Sequence, residues 1–366
     1  MSESEVTRAG LTGGRPGRDA LFGNGQGDGS GAPDGGPDGG RSEGRAARRH
    51  RAREESPGFT SYYGRPVVKA PAWSPADIAG YLFLGGLAGA GSVLAAGAGL
   101  TGRPHTARAM KLGSVGAISL SAAALIHDLG RPERFHHMLR VAKPTSPMSV
   151  GSWLLAVYGP LSGAAALSDL TGRAPRAGRA ATCGAAVLGP AVAAYTGVLL
   201  ADTALPAWHA AHRHLPRLFA ASAASAASGL ALVAGPRAEH APARRAAVLG
   251  TAAELAVLSG LHREAGGVAE TYREGTAGRL LRAARRLSVA GAACAALSGT
   301  RAAGRLARPA ATLGGLALLA GSACTRLGVF HAGLASARDP KYTLRPQRER
   351  LATRAEAPGC GAAPPG

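Results

Sequence analysis

ADIAGYLFLGGLAGAGSVLAAGAGL (76–100) decides the fold. It holds one charged residue, Asp77, and that residue stands at its start. At 1.5 Å of rise per residue, a helix of this length reaches across the ~30 Å hydrocarbon layer of a bilayer. In lipid every backbone N–H and C=O must be satisfied internally, and a single helix does that. Glycine and alanine recur along the stretch. Small residues let helix backbones approach closely where van der Waals contact, not the hydrophobic effect, drives association.

Outward from this stretch, seven more apolar segments follow, at 109–128, 150–169, 181–203, 218–235, 245–262, 286–300 and 310–332. The seventh is short for a crossing. Between them lie Thr101-Gly-Arg-Pro104, Gly130-Arg-Pro132, Pro144 to Pro147, Gly172 to Pro175, Pro206, Gly235-Pro236 and Pro309. These residues break helices or start them. The sequence therefore predicts an all-α integral membrane protein, an eight-transmembrane-helix bundle in two four-helix halves. The transmembrane domain spans 76–335, with a polar C-terminal tail at 336–366. Eight crossings put both termini on one face, called face A below.

The N-terminal part is different. Residues 1–58 are nearly all polar, Gly and Pro, and GNGQGDGSGAPDGGPDGG (23–40) is low-complexity. Such a stretch buries too little apolar surface to offset chain entropy, so a disordered tail is expected. RSEGRAARRHRAREE (41–55) is a charged run, and an interfacial segment is expected at 59–75. Averaged with this tail, the mean hydropathy of the chain is only +0.04. The net charge is +20. In a soluble protein that charge would raise nucleic acid as a partner. Here the arginines fall between apolar segments, as headgroup anchors do, so no nucleic-acid partner is expected. Basic residues are shared about equally between the loops of the two faces, and the charge rule assigns no orientation. The cysteines, Cys183, Cys294, Cys324 and Cys360, are scattered without a CxxC pair. No four-Cys iron–sulfur cluster is expected within this chain.

Ionisable residues within lipid-spanning helices are costly and are candidates for function. Asp77 and Tyr81 open the first helix, and His127 and Asp128 close the second. Asp202 closes the fourth with Tyr195 two turns deeper, and His262, Arg263 and Glu264 close the sixth. All of these fall towards face A. Glu254, in TAAELAVL, falls near mid-membrane in the sixth helix. Each residue has a plain structural reading as well. Asp77 follows Ser74-Pro75 and suits a helix start. His127 and Asp128 suit a helix cap or pairs with Arg131 and Arg134. Asp202, four residues before Pro206, suits a wet helix end. Tyr195 suits packing. Against these stands a polar pocket at one membrane face, apolar with a few converging polar groups.

Four stretches resemble the NrfD/PsrC family of polysulfide-reductase-like membrane subunits. They are YLFLGGLAGAGS (81–92), HDLGRPERFHHMLRVAKPTSPMSVGSW (127–153), YTGVLLADTALPAWH (195–209) and GVFHAGLASARDPKYTLRPQRER (328–350). The resemblance implies a multi-pass protein of the plasma membrane. It implies a menaquinone or ubiquinone site in the first four helices, with no cofactor bound covalently. It further implies a ferredoxin-like iron–sulfur partner and, beyond it, a molybdopterin catalytic subunit that carries the molybdenum cofactor. On this view the chain is a quinone-reacting or non-catalytic subunit of an oxidoreductase. His127, Asp128, Tyr195, Asp202, Tyr81 and Glu254 are the quinone-binding and proton-transfer candidates. Arg131, Arg134, Arg140 and Lys143 are the candidates for docking the iron–sulfur partner.

Two other readings compete. A membrane transporter or channel often carries paired broken helices in two halves, and no sequence repeat relates helices 1–4 to 5–8. A haem b cytochrome needs facing histidines inside the bundle, whereas His127, His262 and His331 all fall at helix ends on face A.

Overall fold

The computed structural model describes residues 5–7, 10–12, 75–128 and 132–343. The chain forms two units, 1–59 and 60–366. In the first, β1 (Glu5–Thr7) pairs antiparallel with β2 (Gly10–Thr12), Val6 opposite Leu11. The rest of the expected disordered tail lies outside the described residues, as does the interfacial segment up to Ser74.

The described residues of the second unit hold eight helices of twenty residues or more. They are α1 (Pro75–Leu100), α2 (Pro104–Asp128), α3 (Pro147–Thr171), α4 (Pro175–Ala201), α5 (Leu215–Ala234), α6 (Ala241–Glu264), α7 (Gly275–Leu297) and α8 (Ala307–Arg338). Six of them, α1 to α5 and α8, are long and apolar enough to cross a membrane. α6 and α7 are long enough but not apolar enough. Arg244 and Arg245 stand in the first turns of α6, and Arg279, Arg282, Arg285 and Arg286 in the first half of α7.

Most helices begin earlier than the hydropathy of the sequence suggests. Pro104, Pro147 and Pro175 are the first residues of their helices, and Pro216 and Pro242 the second. Proline suits these positions because its φ is preset and its missing N–H has no partner there anyway. The largest shift is in α7, expected at 286–300. Its first half is amphipathic: Ala277, Leu281, Ala284 and Ser288 are buried along one stripe, and the arginines occupy the rest. An apolar window reads only the back half of such a helix.

α1 packs on α2 and α4, and α3 packs on α4. The same neighbour pattern recurs in the second set, where α5 packs on α6 and α8, and α7 on α8. α1 also touches α5 and α8, and α4 touches α5. Glycines make the closest crossings. A Cβ on Gly89 of α1 would collide with the carbonyl of Gly189 on α4. Gly229 of α5 meets Gly315 of α8 in the same way, and Gly291 of α7 meets Gly314 of α8. Two buried apolar clusters fill the bundle. One gathers Tyr81, Trp208, Phe219, Tyr272 and Phe330. The other gathers Met110, Tyr158, Val192, Leu232 and Leu318.

The Gly89 crossing gives a first prediction. Gly89→Ala is expected to cost about 1–3 kcal/mol by overpacking, and Gly89→Leu to separate α1 from α4. Gly97, on the same helix, has open space where a Cβ would stand. Gly97→Ala should be neutral or slightly stabilising through helix propensity. Thermal unfolding of the purified protein in detergent compares the two; equal melting temperatures would show that the crossing tolerates a side chain.

Candidate functional site

Most of the candidate residues lie at one end of the bundle, where α1 and α3 begin and α2 and α4 finish. Tyr81, one and a half turns into α1, is buried, and its hydroxyl is hydrogen-bonded to that of Tyr195 on α4. Tyr195 is half-buried. Its ring has room because position 151 on α3 is glycine: a Cβ there would fall on the ring edge. The backbone carbonyl of Tyr81 accepts a hydrogen bond from Ser121 Oγ of α2, at 3.1 Å. Tyr81 belongs to a buried apolar cluster, against which Leu125, Leu155, Tyr195 and Leu199 pack. Four helices thus position two phenols in apolar surroundings.

His127, at the end of α2, lies 3.3 Å through Nδ1 from Asp77 Oδ2 in the first turn of α1. His127 is exposed, while Asp128 beside it is half-buried. The structure thus joins Asp77, which the sequence offers as a helix-start residue, to His127 as a partner. Asp202 is the exposed C-cap of α4, its N–H bonded to the Val198 carbonyl at 2.9 Å.

Glu254 belongs to a different cluster. Its Oε1 accepts a hydrogen bond from Thr325 at 2.6 Å and its Oε2 one from Ser288 at 3.4 Å. Beside it lies Arg326, fully buried. Arg326 donates from Nη2 to the Phe219 carbonyl at 2.8 Å and from Nε to the Leu82 carbonyl at 3.4 Å. Its guanidinium stacks 4.0 Å over the Phe219 ring. Gly86 of α1 makes space for it. Arg326 is absent from the candidates that the sequence analysis singles out. The signal was available: it is the one charged residue within 310–332.

The α2–α3 connection runs through a 3₁₀ helix, Pro132–Leu139. Ser149 ties the connection down: its Oγ donates to the Val141 carbonyl and accepts the Lys143 N–H, both at 2.9 Å. Arg140 and Lys143 are exposed. Beside them Phe135, Val141 and Met148 are 44%, 66% and 58% exposed. Arg131 and the side chain of Arg134 lie outside the described residues.

LPAWH after α4 is structural. Trp208 is buried, donates to the Val329 carbonyl at 2.8 Å, and lies flat against Gly333 of α8. The Ala207 carbonyl accepts from Tyr272 at 2.9 Å, and its N–H donates to Ser336 Oγ at 3.2 Å. Past α8, Lys341 and Tyr342 both reach Glu270. Hydrogen bonds that the Lys341 ammonium donates to Tyr342 and Glu270 hold it above the usual lysine range. Two sequence stretches far apart, 195–209 and 328–350, therefore meet at face A. The stretches 81–92 and 127–153 meet 195–209 there too, through the two tyrosines and Gly151.

Residues 71–262, more than half of the chain, match the family described as polysulphide reductase, NrfD. The chain belongs to the NrfD family. No curated protein matches it. NrfD proteins are quinone-interacting membrane subunits of oxidoreductases and typically pair with iron–sulfur and molybdopterin subunits. Six apolar helices and NrfD membership make this a multi-pass membrane protein. Among the described residues no three His, Cys, Asp or Glu side chains gather where they could hold a metal ion.

Proposed function

We propose that this chain is the quinone-reacting subunit of a multi-subunit oxidoreductase of the plasma membrane. It would pass electrons between a menaquinone or ubiquinone pool and an iron–sulfur partner that serves a molybdopterin subunit. The observation that carries this reading is the Tyr81–Tyr195 hydroxyl pair in an apolar setting, at the face where the family-like stretches converge. A quinone ring needs apolar walls and a few converging donors, and these residues fit that need. Quinone reduction takes up two electrons and two protons. Tyr195, being half-buried, presents its hydroxyl to a quinone carbonyl, with Tyr81 behind it. His127 supplies protons: an imidazole exchanges them in the useful range, and Asp77 at 3.3 Å holds its ring in place. Asp128 and Asp202, at the same face, extend this relay to water. Glu254, held by Thr325 and Ser288, stands as a second carboxyl candidate for proton transfer in the other half of the bundle.

All eight helices cross the bilayer in this reading, in two four-helix halves. α6 packs on α5 and α7 on α8, and both of those neighbours are apolar enough to cross. Both termini then share face A. The iron–sulfur partner docks on the α2–α3 connection. Exposed Phe135, Val141 and Met148 offer apolar contact there, and Arg140 and Lys143 offer charge, alongside Arg131 and Arg134.

His127→Phe and Asp128→Asn test the proton role in the assembled complex. Each is expected to lower quinone-linked turnover about tenfold, which is about 1.4 kcal/mol in the barrier. Turnover with an artificial dye at the catalytic subunit, which bypasses the site, should survive. A parallel fall of both activities with the amount of assembled complex would assign these residues to stability instead.

A further inference from the structure

A cleft of about 270 Å³ opens between the end of α6 and the start of α7, on face A. Leu258 and Leu281 form its apolar floor, together with the ring of Tyr272, whose hydroxyl is already bonded to the Ala207 carbonyl. Arg273, Arg282 and Arg285 form its rim. No carboxylate lines it. Among the described residues none of these three arginines is ion-paired with a carboxylate. Two of them are partly fixed: Arg273 donates to the His262 carbonyl at 3.3 Å, and Arg282 to the Arg273 carbonyl at 2.7 Å. Each keeps further N–H groups for a ligand. Three positive charges thus converge on one apolar cleft.

The other end of the same helix pair repeats the chemistry. There a cleft of about 500 Å³ is lined by Arg244, Arg245, Val248 and Leu249 of α6 and by Thr300 beyond α7. Along α6, Arg245 and His262 are about 26 Å apart at 1.5 Å per residue. The bilayer's hydrocarbon is ~30 Å thick, and long arginine side chains reach outward from a helix to the headgroups. Between the two clefts Val289 of α7 is exposed, and it lines neither of them. Two arginine-lined clefts separated by one hydrocarbon thickness are placed for membrane phosphates, not for phosphate from solution.

We propose that the face A cleft between α6 and α7 binds an anionic phospholipid. Arg282 and Arg285 hold its phosphate in forked hydrogen bonds, with Arg273 adding charge. Its acyl chains run along the apolar outer face of the pair. A zwitterionic lipid brings its own ammonium against the three guanidiniums, so the cleft discriminates against it. The site rests on the crossing of α6 and α7 in the reading above and is independent of the quinone assignment.

The full chain, purified in detergent, is titrated with phosphatidylglycerol and with phosphatidylcholine, and retained lipid is read by native mass spectrometry. Phosphatidylglycerol should be retained about tenfold more tightly. The double change Arg282→Gln and Arg285→Gln should abolish that preference, and Arg282→Lys with Arg285→Lys should keep part of it. Arg176→Gln with Arg179→Gln, exposed at the start of α4, should leave it intact. An unchanged preference in the glutamine variant overturns the site. Displacement of the lipid by millimolar inorganic phosphate overturns the lipid assignment in favour of the free anion. A separate variant, Val289→Cys, is exposed in membranes to a water-soluble maleimide, with labelling located by peptide mapping. Labelling at position 289 overturns the crossing of α7 and the lipid site with it. Protection of that position, with labelling only after detergent is added, supports the crossing on which the site rests.

Discussion

Glu254→Gln and Arg326→Met are each expected to deplete the folded protein severely, and the double variant to lose less than the two losses added together. Arg326 is fully buried, and its contacts within the chain are carbonyls, the Phe219 ring and the nearby Glu254 carboxylate. Glu254 in turn is held by Thr325 and Ser288. No direct ion pair joins Glu254 to Arg326, so removing either is expected to cost what an unmatched buried polar partner costs, about 1–3 kcal/mol, and more where a charge is left. Glutamine keeps the shape of Glu254 but leaves the guanidinium without an opposing charge. Methionine fills the space of Arg326 but leaves the carboxylate to be neutralised by a proton. In the double variant neither charge remains, so a coupling energy of about 0.5–3 kcal/mol is expected. Thermal unfolding of the four proteins in one detergent measures it. Strict additivity would mean that the two groups do not sense each other.

Tyr195→Phe should cut quinone-linked turnover about tenfold at a moderate cost in stability, about 1–3 kcal/mol for a buried hydroxyl left unmatched. The partner Tyr81 hydroxyl is then left buried without its phenol. Tyr81→Phe should act in the same direction, and the double variant should be hardly worse than either single one, because groups that act as a unit are not additive. Gly151→Ala offers an indirect test. It deletes no hydroxyl but pushes a methyl group into the Tyr195 ring edge. Lowered quinone turnover with intact dye-linked turnover in all three would tie the defect to the position of the phenol. Full activity in Tyr195→Phe would remove the pair from the site.

The class of fold was readable because lipid imposes one strong rule, and long uncharged runs obey it. Where that rule is relaxed, hydropathy is a poorer guide to helix ends. α7 hides its first half behind arginines, since a helix needs apolar residues only on the side that meets its neighbours. The prolines that looked like breaks sit inside first turns. The recurrence of neighbours between α1–α4 and α5–α8 leaves no trace in sequence, because packing on a neighbour constrains residue size at a few glycine crossings and little else.

The site divides the same way. Depth along a helix can be counted from its ends, so the sequence alone places His127, Asp128, Tyr195 and Asp202 towards the ends of α2 and α4. Which side chain meets which depends on the rotation of each helix, and a near-uniform background of Ala, Gly and Leu fixes that poorly. Hence Tyr81 and Tyr195 were named separately and not as a bonded pair. Asp77 was seen as a helix start and not as the partner of His127. Trp208 gave no functional signal because its role is to seat the end of α4 against α8.

Burial of Arg326 also bears on how the protein is made. α8 is synthesised after α1 to α7, and an arginine at the centre of a helix entering lipid alone is penalised by about 2.5–3.5 kcal/mol. Its acceptors, the carbonyls of Leu82 and Phe219, belong to α1 and α5. Both are in place long before α8 leaves the ribosome. Membrane entry of α8 is thereby coupled to prior assembly of the earlier helices, and a chain in which α1 or α5 is missing or misplaced is left with an α8 that resists insertion and is open to proteolysis.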